Sequence, residues 1–371
     1  MHQPVVEIRT SPHIHSSPTV PQIMRNVIYA LLPLAAFAVY QCGISALALI
    51  ITVVLSTLLT ESLFARLSGR DNTIGDSSAA ITGLLLALTL PPGFPLWMGA
   101  VAGFIAIALG KMLFGGIGFN LFNPALIGRA FVQAAFPVAI TSWSPAFAPG
   151  RFTEFIPSTL ALPLMHPADL APWIEKINRA TANSVDTFTG ATPLAAWKFD
   201  GVTTDTLDLL TGMVTGSAGE NSALLIVICG SYLVLRKMMD WRIPVAVLTG
   251  AFITALLLFL IDDKTYPEPL FVLFSGGLML GAVFMASDMV ATPVTPLGVL
   301  VYGLLIGFFT VMIRSFGGLP EGVMYAILLG NALTPLIESV TQPRIYGEKA
   351  VGEKAVVEKA TNKKTVKENA S

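Results

Sequence analysis

Ten apolar runs follow one another along this chain, and they constrain its fold more than any other feature of the sequence. A helix that crosses a bilayer needs about 20 apolar residues, because hydrocarbon offers the backbone no hydrogen-bond partner. Several of the ten runs are shorter than that, which is typical of broken spans. The runs are Val27–Cys42, Ile44–Phe64, Ala79–Leu90, Leu96–Leu113, Ala125–Ile140, Ala223–Leu235, Ile243–Ile261, Leu270–Ala286, Leu297–Ile313 and Val323–Leu336.

The composition excludes a soluble enzyme. Only 12% of the 371 residues are charged, against about 25% in an ordinary soluble domain. A hydrophobic share of 54% likewise excludes a disordered chain. We therefore predict an all-α polytopic membrane protein embedded in the lipid bilayer. Cys42 and Cys229 lie in separate apolar runs without metal-ligand spacing, so neither a disulfide framework nor a metal site is predicted.

The distribution of Lys and Arg predicts the orientation. Cytoplasmic loops carry the excess of basic residues, and with the N-terminus inside nearly all of them fall on that side. Both termini are then cytoplasmic, and the long polar segment 141–221 lies on the outer face. The residues that carry this inference are Arg9, Arg25, Arg66, Arg70, Lys111, Arg236, Lys237, Arg242 and the basic tail from Arg344.

Five spans precede the long loop and five follow it, so the two halves insert with opposite orientation. Internal similarity indicates that the halves are repeats: Phe-Gly-Gly at 114–116 recurs at 316–318, and Pro91 recurs as Pro293. Gly- or Pro-broken segments at matching places of inverted halves point to a binding site near the midplane. The predicted organisation is a cytoplasmic segment 1–22, a first five-helix repeat 23–140, an extracytoplasmic loop 141–221, a second repeat 222–340 and a low-complexity cytoplasmic tail 341–371.

One string of the outer loop carries a chemical signal, namely the residues from Asp186 to Thr192. Gly190 predicts a turn, and Pro193 prevents a helix from running through it. Small neighbours are expected to leave the Thr192 hydroxyl open. A threonine hydroxyl reacts only when it is activated, so the pattern favours modification of this side chain by another enzyme over catalysis by this chain. Taken alone, the string is also an ordinary loop sequence.

The pattern Asp-x-x-Thr-Gly-Ala-Thr resembles the flavinylation motif of the Rnf and sodium-pumping NADH:quinone oxidoreductase complexes. In that family a flavin transferase uses FAD to attach FMN to the last threonine through a phosphoester. The resemblance implies that Thr192 is a phosphoryl-linked FMN site. It also implies that Asp186, Thr189, Gly190 and Ala191 form the recognition frame.

The resemblance extends over residues from about 10 to 347. Ala80–Ala87 with Pro91-Pro92, Gly115–Gly118, Phe122–Ala125 and Arg314–Gly318 are similar to the RnfD family, the D subunits of Rnf complexes. The B subunit of the sodium-pumping quinone reductase is homologous but has a longer N-terminal extension.

The resemblance also implies a function. The RnfD protein is a membrane flavoprotein of the bacterial inner membrane, in a translocase that couples electron transfer between ferredoxin and NAD to sodium or proton movement. Other Rnf subunits (A, B, C, E and above all the flavoprotein G) are the implied partners, and no nucleic acid is. A second flavin, riboflavin, is allowed by the related B subunit, although no residue specifies it.

Ionisable and amide side chains near spans are the candidates for ion or flavin contacts. Asp288 follows a broken apolar run, and Asn120, Asn123 and Asn331 offer amide oxygens. Capping of broken helices explains the same residues without function. Four charged side chains lie at or near span ends, and we favour structural roles for them. Lys111 and Arg314 are expected to snorkel to the headgroups, and Arg129 is expected to pair internally. These four are Glu61, Lys111, Arg129 and Arg314.

Two alternatives stay open at this stage. Inverted five-helix repeats with broken helices are typical of secondary transporters and channels. The quinone-reductase B subunit is the other alternative, since it shares the motif. The loop motif separates the first alternative from a redox carrier, because a plain transporter has no use for it.

Overall fold

The computed structural model of the chain describes residues 19–69, 73–165, 167–181 and 191–343. Within these ranges every regular element is helical, which confirms the predicted all-α class. Each of the ten predicted runs falls on one or more helices. The helices are α1 (Val20–Cys42), α2 (Ile44–Leu67), α3 (Ser78–Leu88), α4 (Leu96–Ile107, continuing as the π-turn Ala108–Met112), α5 (Pro124–Ala135), α6 (Pro137–Ile140), α7 (Ala171–Thr181), α8 (Pro193–Ala195, continuing as the π-turn Ala196–Asp200), α9 (Thr206–Thr211), α10 (Ala223–Leu235), α11 (Arg242–Ile261), α12 (Pro269–Phe274), α13 (Leu278–Leu280, continuing as the π-turn Gly281–Met285), α14 (Pro296–Phe316) and α15 (Val323–Thr341), with a 3₁₀ turn at Thr73–Asp76.

The helices turn apolar faces outward. On α2, Leu55, Leu59 and Leu63 recur every four residues and are exposed, whereas Thr57 and Glu61 on the opposite face are buried. A soluble helix has the reverse pattern. The chain is therefore a multi-pass membrane protein. Within the described residues, five helices have the length and composition to cross a bilayer, and three shorter apolar helices accompany them. The five are α1, α2, α11, α14 and α15, and the three are α3, α4 and α10.

Several helices are interrupted. The predicted run Leu270–Ala286 is broken between α12 and α13 at residues 275–277, as its glycines suggested. The predicted single run Ala125–Ile140 is wrong, because the helix stops at Phe136 and restarts at Pro137. Proline has no backbone N–H and its ring clashes with the preceding turn, so α5 ends there.

Small residues set the distance between helices within each half. In the first half α2 packs on α3 and α4, and α4 packs on α5. In the second half α11 crosses α14 closely, because Gly307 lies directly against the backbone of Val247 and Ala251. Gly250 of α11 lies in the same way against the backbone of Leu304. Such close approach is how membrane helices gain packing energy without a hydrophobic driving force.

The two halves of the chain meet through two pairs of helices. α1, the first described helix, packs on α10, the first helix after the long polar segment 141–221. α5, which follows α4 in the first half, contacts α15, the last described helix of the second half. The two halves therefore meet through α1 with α10 and through α5 with α15.

The close α11–α14 contact predicts a stability effect. We expect Gly307→Ala to lower the melting temperature in detergent, because the added methyl group overlaps the backbone of α11 and overpacking costs about 1–3 kcal/mol. Gly75→Ala is the matched control, since a Cβ there meets nothing within 4 Å. Equal melting temperatures for the two variants would contradict the proposed tight crossing.

Candidate functional site

The candidate residues lie at opposite ends of α1. The N-terminal turns of α1, with Ile23 and Met24, line one cavity. At its other end the Gln41 side chain donates to the carbonyls of Gly212 and Val214, both at 3.0 Å. Val214 lines a second cavity together with Thr192. The structure therefore places the two groups of candidate residues near opposite ends of one helix.

Three of the predicted amide and acid residues meet at the first cavity, which measures about 120 Å³. Asn123 caps α5 by accepting from the Ala125 N–H at 3.0 Å, and its amide donates to the Met285 carbonyl at 3.1 Å. Asn120 lies beside the Asp288 carboxylate, which accepts from the Val290 N–H at 3.3 Å. Helix capping thus explains one contact of Asn123. Asn120, Asn123 and Asp288 all line the first cavity.

Asn331 lies apart from this group. Its side-chain oxygen accepts from the Tyr302 hydroxyl at 2.7 Å in a buried contact between α14 and α15. It lines neither the first cavity nor those beside Thr192. Asn331 therefore does not share a cavity with Asn120 and Asn123.

Lys111 does not snorkel to the headgroups. It is 3% exposed, and its ammonium donates to Glu61 Oε1 at 2.6 Å and to Ser78 Oγ at 2.5 Å. The contact fastens the last turn of α4 to α2 and to the first residue of α3. Lys111 also lines the first cavity. A buried charge needs such a partner, because hydrocarbon does not solvate it.

Arg314 is buried in the same way at the other end of the molecule. Its guanidinium donates to the Val272 carbonyl at 2.7 Å and to the Ser275 carbonyl at 3.0 Å. The Val272 carbonyl lies in the last turn of α12, and the Ser275 carbonyl lies in the break between α12 and α13. Snorkelling is therefore wrong for Arg314 as well, and the side chain instead satisfies backbone groups that the broken helix exposes.

Thr192 is buried, contrary to the open hydroxyl expected from its small neighbours. The side chain is 4% exposed, and its Oγ1 accepts from the Ala195 N–H at 3.2 Å. Thr192 is thus the N-cap of α8, with Pro193 at the first helical position. Leu194 is fully buried against Gly276, and this contact holds the turn against the bundle. Ala191 is described beside it, whereas Asp186, Thr189 and Gly190 lie outside the described residues.

Lys198 fastens α8 to the second half of the protein. Its ammonium donates to three carbonyls, those of Arg314 at 2.8 Å, Gly317 at 2.5 Å and Leu319 at 3.0 Å. A cation at the C-terminal end of α14 satisfies carbonyls that have no helical partner. Burial lowers the pKa of Lys198 from its ordinary value. The sequence contained no signal for this contact, because Lys198 is separated from its nearest acceptor along the chain, the Arg314 carbonyl, by 116 residues.

A buried ionic cluster lies beside Thr192. Arg129 donates through Nη1 to Glu220 at 2.8 Å and through Nη2 to Glu321. Internal pairing of Arg129 is therefore confirmed. Its partners were missed, because Glu220 and Glu321 lie in loops next to spans rather than within them.

Two cavities flank this cluster. A narrow one is lined by Thr192, Gly276, Glu220 and Glu321. A wide one measures about 420 Å³. Its lining includes Trp143, Phe199, Ala191, Ala195, Arg129 and Glu321.

Comparison with known proteins identifies the family. Residues 7–347 match the family described as NQR2, RnfD, RnfE. The chain belongs to this family. The D subunit of the Na⁺-translocating ferredoxin:NAD⁺ oxidoreductase complex of Acetobacterium woodii is 41% identical, over 94% of this chain and 97% of the relative.

Two further relatives of the NQR2, RnfD, RnfE family are similar over the same extent. The D subunit of the proton-translocating ferredoxin:NAD⁺ oxidoreductase complex of Clostridium ljungdahlii is 38% identical, over 93% of this chain and 97% of the relative. The D subunit of the ion-translocating oxidoreductase complex of Alcanivorax borkumensis is 38% identical, over 92% of this chain and 96% of the relative. The resemblance inferred from the motifs is thus confirmed over nearly the whole chain.

The Lys111–Glu61 pair beside the first cavity allows a test of buried charge pairing. We expect Lys111→Met to destabilise the protein by about 3–5 kcal/mol, since breaking a buried pair leaves one charge in a low-dielectric site. The double variant Lys111→Met, Glu61→Gln should recover most of the melting temperature in detergent. A double variant as unstable as Lys111→Met alone would show that charge pairing is not the reason.

Proposed function

We propose that the chain is the membrane flavoprotein RnfD of an Rnf-type complex, which carries electrons between ferredoxin and NAD modules through FMN on Thr192. This transfer is coupled to sodium or proton translocation. Relatives named as the D subunits of such complexes match this chain over more than nine-tenths of its length. The motif that ends at Thr192 carries the proposal. Neither catalysis nor metal binding is assigned to this chain alone.

The attachment reaction is a phosphoryl transfer. The Thr192 hydroxyl loses its proton and forms a P–O bond to the FMN phosphorus of FAD, and AMP leaves as the pyrophosphate bond breaks. An external transferase must supply the activation, since Thr192 has an N-cap contact rather than a base as its partner. FMN supplies redox chemistry, while this chain supplies the tether and the surroundings.

The wide outer cavity fits such a group. Its volume of about 420 Å³ and its lining by Trp143 and Phe199 suit a flat aromatic ring. Ala191 and Ala195, which flank Thr192 in the sequence, open onto the same space. Arg129 adds a buried cation at its edge, so the cavity offers both aromatic and anionic groups a partner.

We propose that the first cavity holds a second ligand, riboflavin or the translocated ion. Asn120, Asn123 and Asp288 supply amide and carboxylate oxygens to it. Four methionines, Met24, Met238, Met239 and Met289, form much of its wall. Methionine adapts its shape to a ligand, so the wall can widen beyond the 120 Å³ of the structure for an aromatic ring.

The proposed architecture is a pair of inverted five-helix repeats. Its support is the pairing of α1 with α10 and of α5 with α15, which is the arrangement that a two-fold axis between the halves would produce. Lys111 and Arg314 occupy similar places in the two halves. Lys111 lies at the end of α4 and binds Ser78 at the start of α3. Arg314 lies at the end of α14 and binds Ser275 at the break between α12 and α13. By the positive-inside rule the first cavity is cytoplasmic, and the Thr192 region faces the outside of a bacterial inner membrane.

The proposed partners follow from the complex. The A, B, C, E and G subunits are expected to contact this chain, with the G flavoprotein beside the outer site. The functions that this chain lacks, NAD binding and iron–sulfur clusters, belong to the partners.

Flavin attachment is tested directly by fluorescence. The chain is co-produced with its flavin transferase and run on a denaturing gel under ultraviolet light. We expect a fluorescent band that Thr192→Ala abolishes and that Thr203→Ala, an exposed threonine of the same loop, retains. A band that survives Thr192→Ala would remove the FMN assignment.

The burial of Thr192 predicts when attachment occurs. The transferase needs the hydroxyl, so we expect it to act while α8 is detached from the bundle. Lys198→Met removes three hydrogen bonds that fasten α8 and should raise the rate at which purified apo-protein accepts FMN by several-fold. Lys176→Met on α7 is the control. An unchanged rate in Lys198→Met would mean that α8 does not limit access.

The alternative functions have separate tests. A transporter would move a solute in liposomes without flavin, and a quinone-reductase subunit would support quinone reduction in its purified complex. The family description names NQR2 beside RnfD, and this supports the quinone-reductase alternative over the transporter. Ferredoxin-dependent NAD reduction by the complex decides for the Rnf assignment.

A further inference from the structure

Glu321 lines both of the cavities that flank the Arg129 cluster. It lines the narrow cavity together with Thr192, and it lines the wide cavity together with Ala191 and Ala195. Glu321 is therefore a neighbour of any group that is bonded to Thr192 and reaches into the wide cavity. The linking phosphodiester would be at the start of such a group, since it is the part attached to Thr192.

Arg129 is the cation at the same place. Its side chain is 7% exposed, and it pairs with both Glu220 and Glu321. Its Nε–H is buried without a hydrogen-bond partner. A guanidinium binds phosphate with its planar fork of donors at least as well as it binds carboxylate. Arg129 therefore has the chemistry to receive a phosphodiester anion.

The two carboxylates that share Arg129 are not equivalent. The Glu220 side chain is 3% exposed and lies against Gly277, in the break between α12 and α13. The Glu321 side chain is 17% exposed. Moving Glu321 into solvent costs less desolvation energy than moving Glu220. If an incoming anion displaces one partner of Arg129, Glu321 is the partner that leaves.

The charge balance of the cluster favours exchange over addition. Glu220 and Glu321 share the single Arg129 guanidinium, and burial and the neighbouring Glu321 carboxylate raise the pKa of Glu220, so the two acids already repel each other. A phosphodiester adds one negative charge, which a buried cluster tolerates poorly. The balance is kept when one carboxylate leaves as the phosphodiester arrives.

We propose that Arg129 binds the phosphodiester that joins FMN to Thr192, and that Glu321 occupies this position until FMN is attached. This inference rests on the proposed function, because it presumes FMN on Thr192. It assigns Arg129 a binding role and Glu321 the role of an exchangeable partner. Glu220 keeps its contact with Arg129 in both states.

The exchange is tested by a thermodynamic cycle on the full chain, purified with and without prior co-production of the transferase. Without FMN, we expect Glu321→Gln to lower the melting temperature by several degrees, because the Arg129 contact is lost. With FMN attached, the same substitution should leave the melting temperature unchanged, because Glu321 has already left. Glu220→Gln is the matched control and should lower it in both forms.

A second measurement examines Arg129 itself. We expect Arg129→Lys, which keeps the charge but loses the fork, to shift the ³¹P resonance of the attached phosphodiester, while Glu321→Gln leaves it in place. Equal losses of melting temperature for Glu321→Gln in both forms, or an unshifted ³¹P resonance in Arg129→Lys, would overturn the inference. Absence of covalent FMN from the wild-type chain by mass spectrometry would instead overturn the proposed function.

Discussion

The lack of water in the bilayer governs this structure. Hydrocarbon leaves no partner for a backbone group at a helix break, so each break must be satisfied by the protein itself. Arg314 supplies one hydrogen bond to the last turn of α12 and one to the break between α12 and α13. Asn123 supplies one to the end of α13, and Lys198 supplies three to the end of α14. Many buried polar side chains among the described residues therefore form hydrogen bonds with backbone groups.

The same constraint explains why charges lie next to the candidate sites. A helix break creates a polar pocket in an apolar medium, and the side chains that satisfy it are charged or carry amides. Once these groups are inside, a cofactor or an ion meets preorganised partners there. Asn123 is an example, because it donates to the Met285 carbonyl and also lines the first cavity. Stability and binding are thus connected through the same side chains.

The two sites are separated along α1. From Met24 to Gln41 the helix rises about 25 Å at 1.5 Å per residue, which is most of the hydrocarbon thickness. The two candidate sites therefore lie near opposite ends of a helix that is long enough to cross a bilayer. This separation suits a subunit that hands electrons from one side to the other, and it also explains why one helix contributes to the surroundings of both sites.

The sequence by itself determined the membrane class, the helical runs and the family, because these depend on composition and on strings of neighbouring residues such as the motif up to Thr192. The orientation of the spans and the repeat were inferred from charge and similarity, and they stay predictions. Only the tertiary structure decided which groups meet. The partners Glu220 and Glu321 of Arg129 lie 91 and 192 residues away along the chain. Contacts over such separations arise from helix packing, and a sequence pattern that describes one helix at a time contains no information about them.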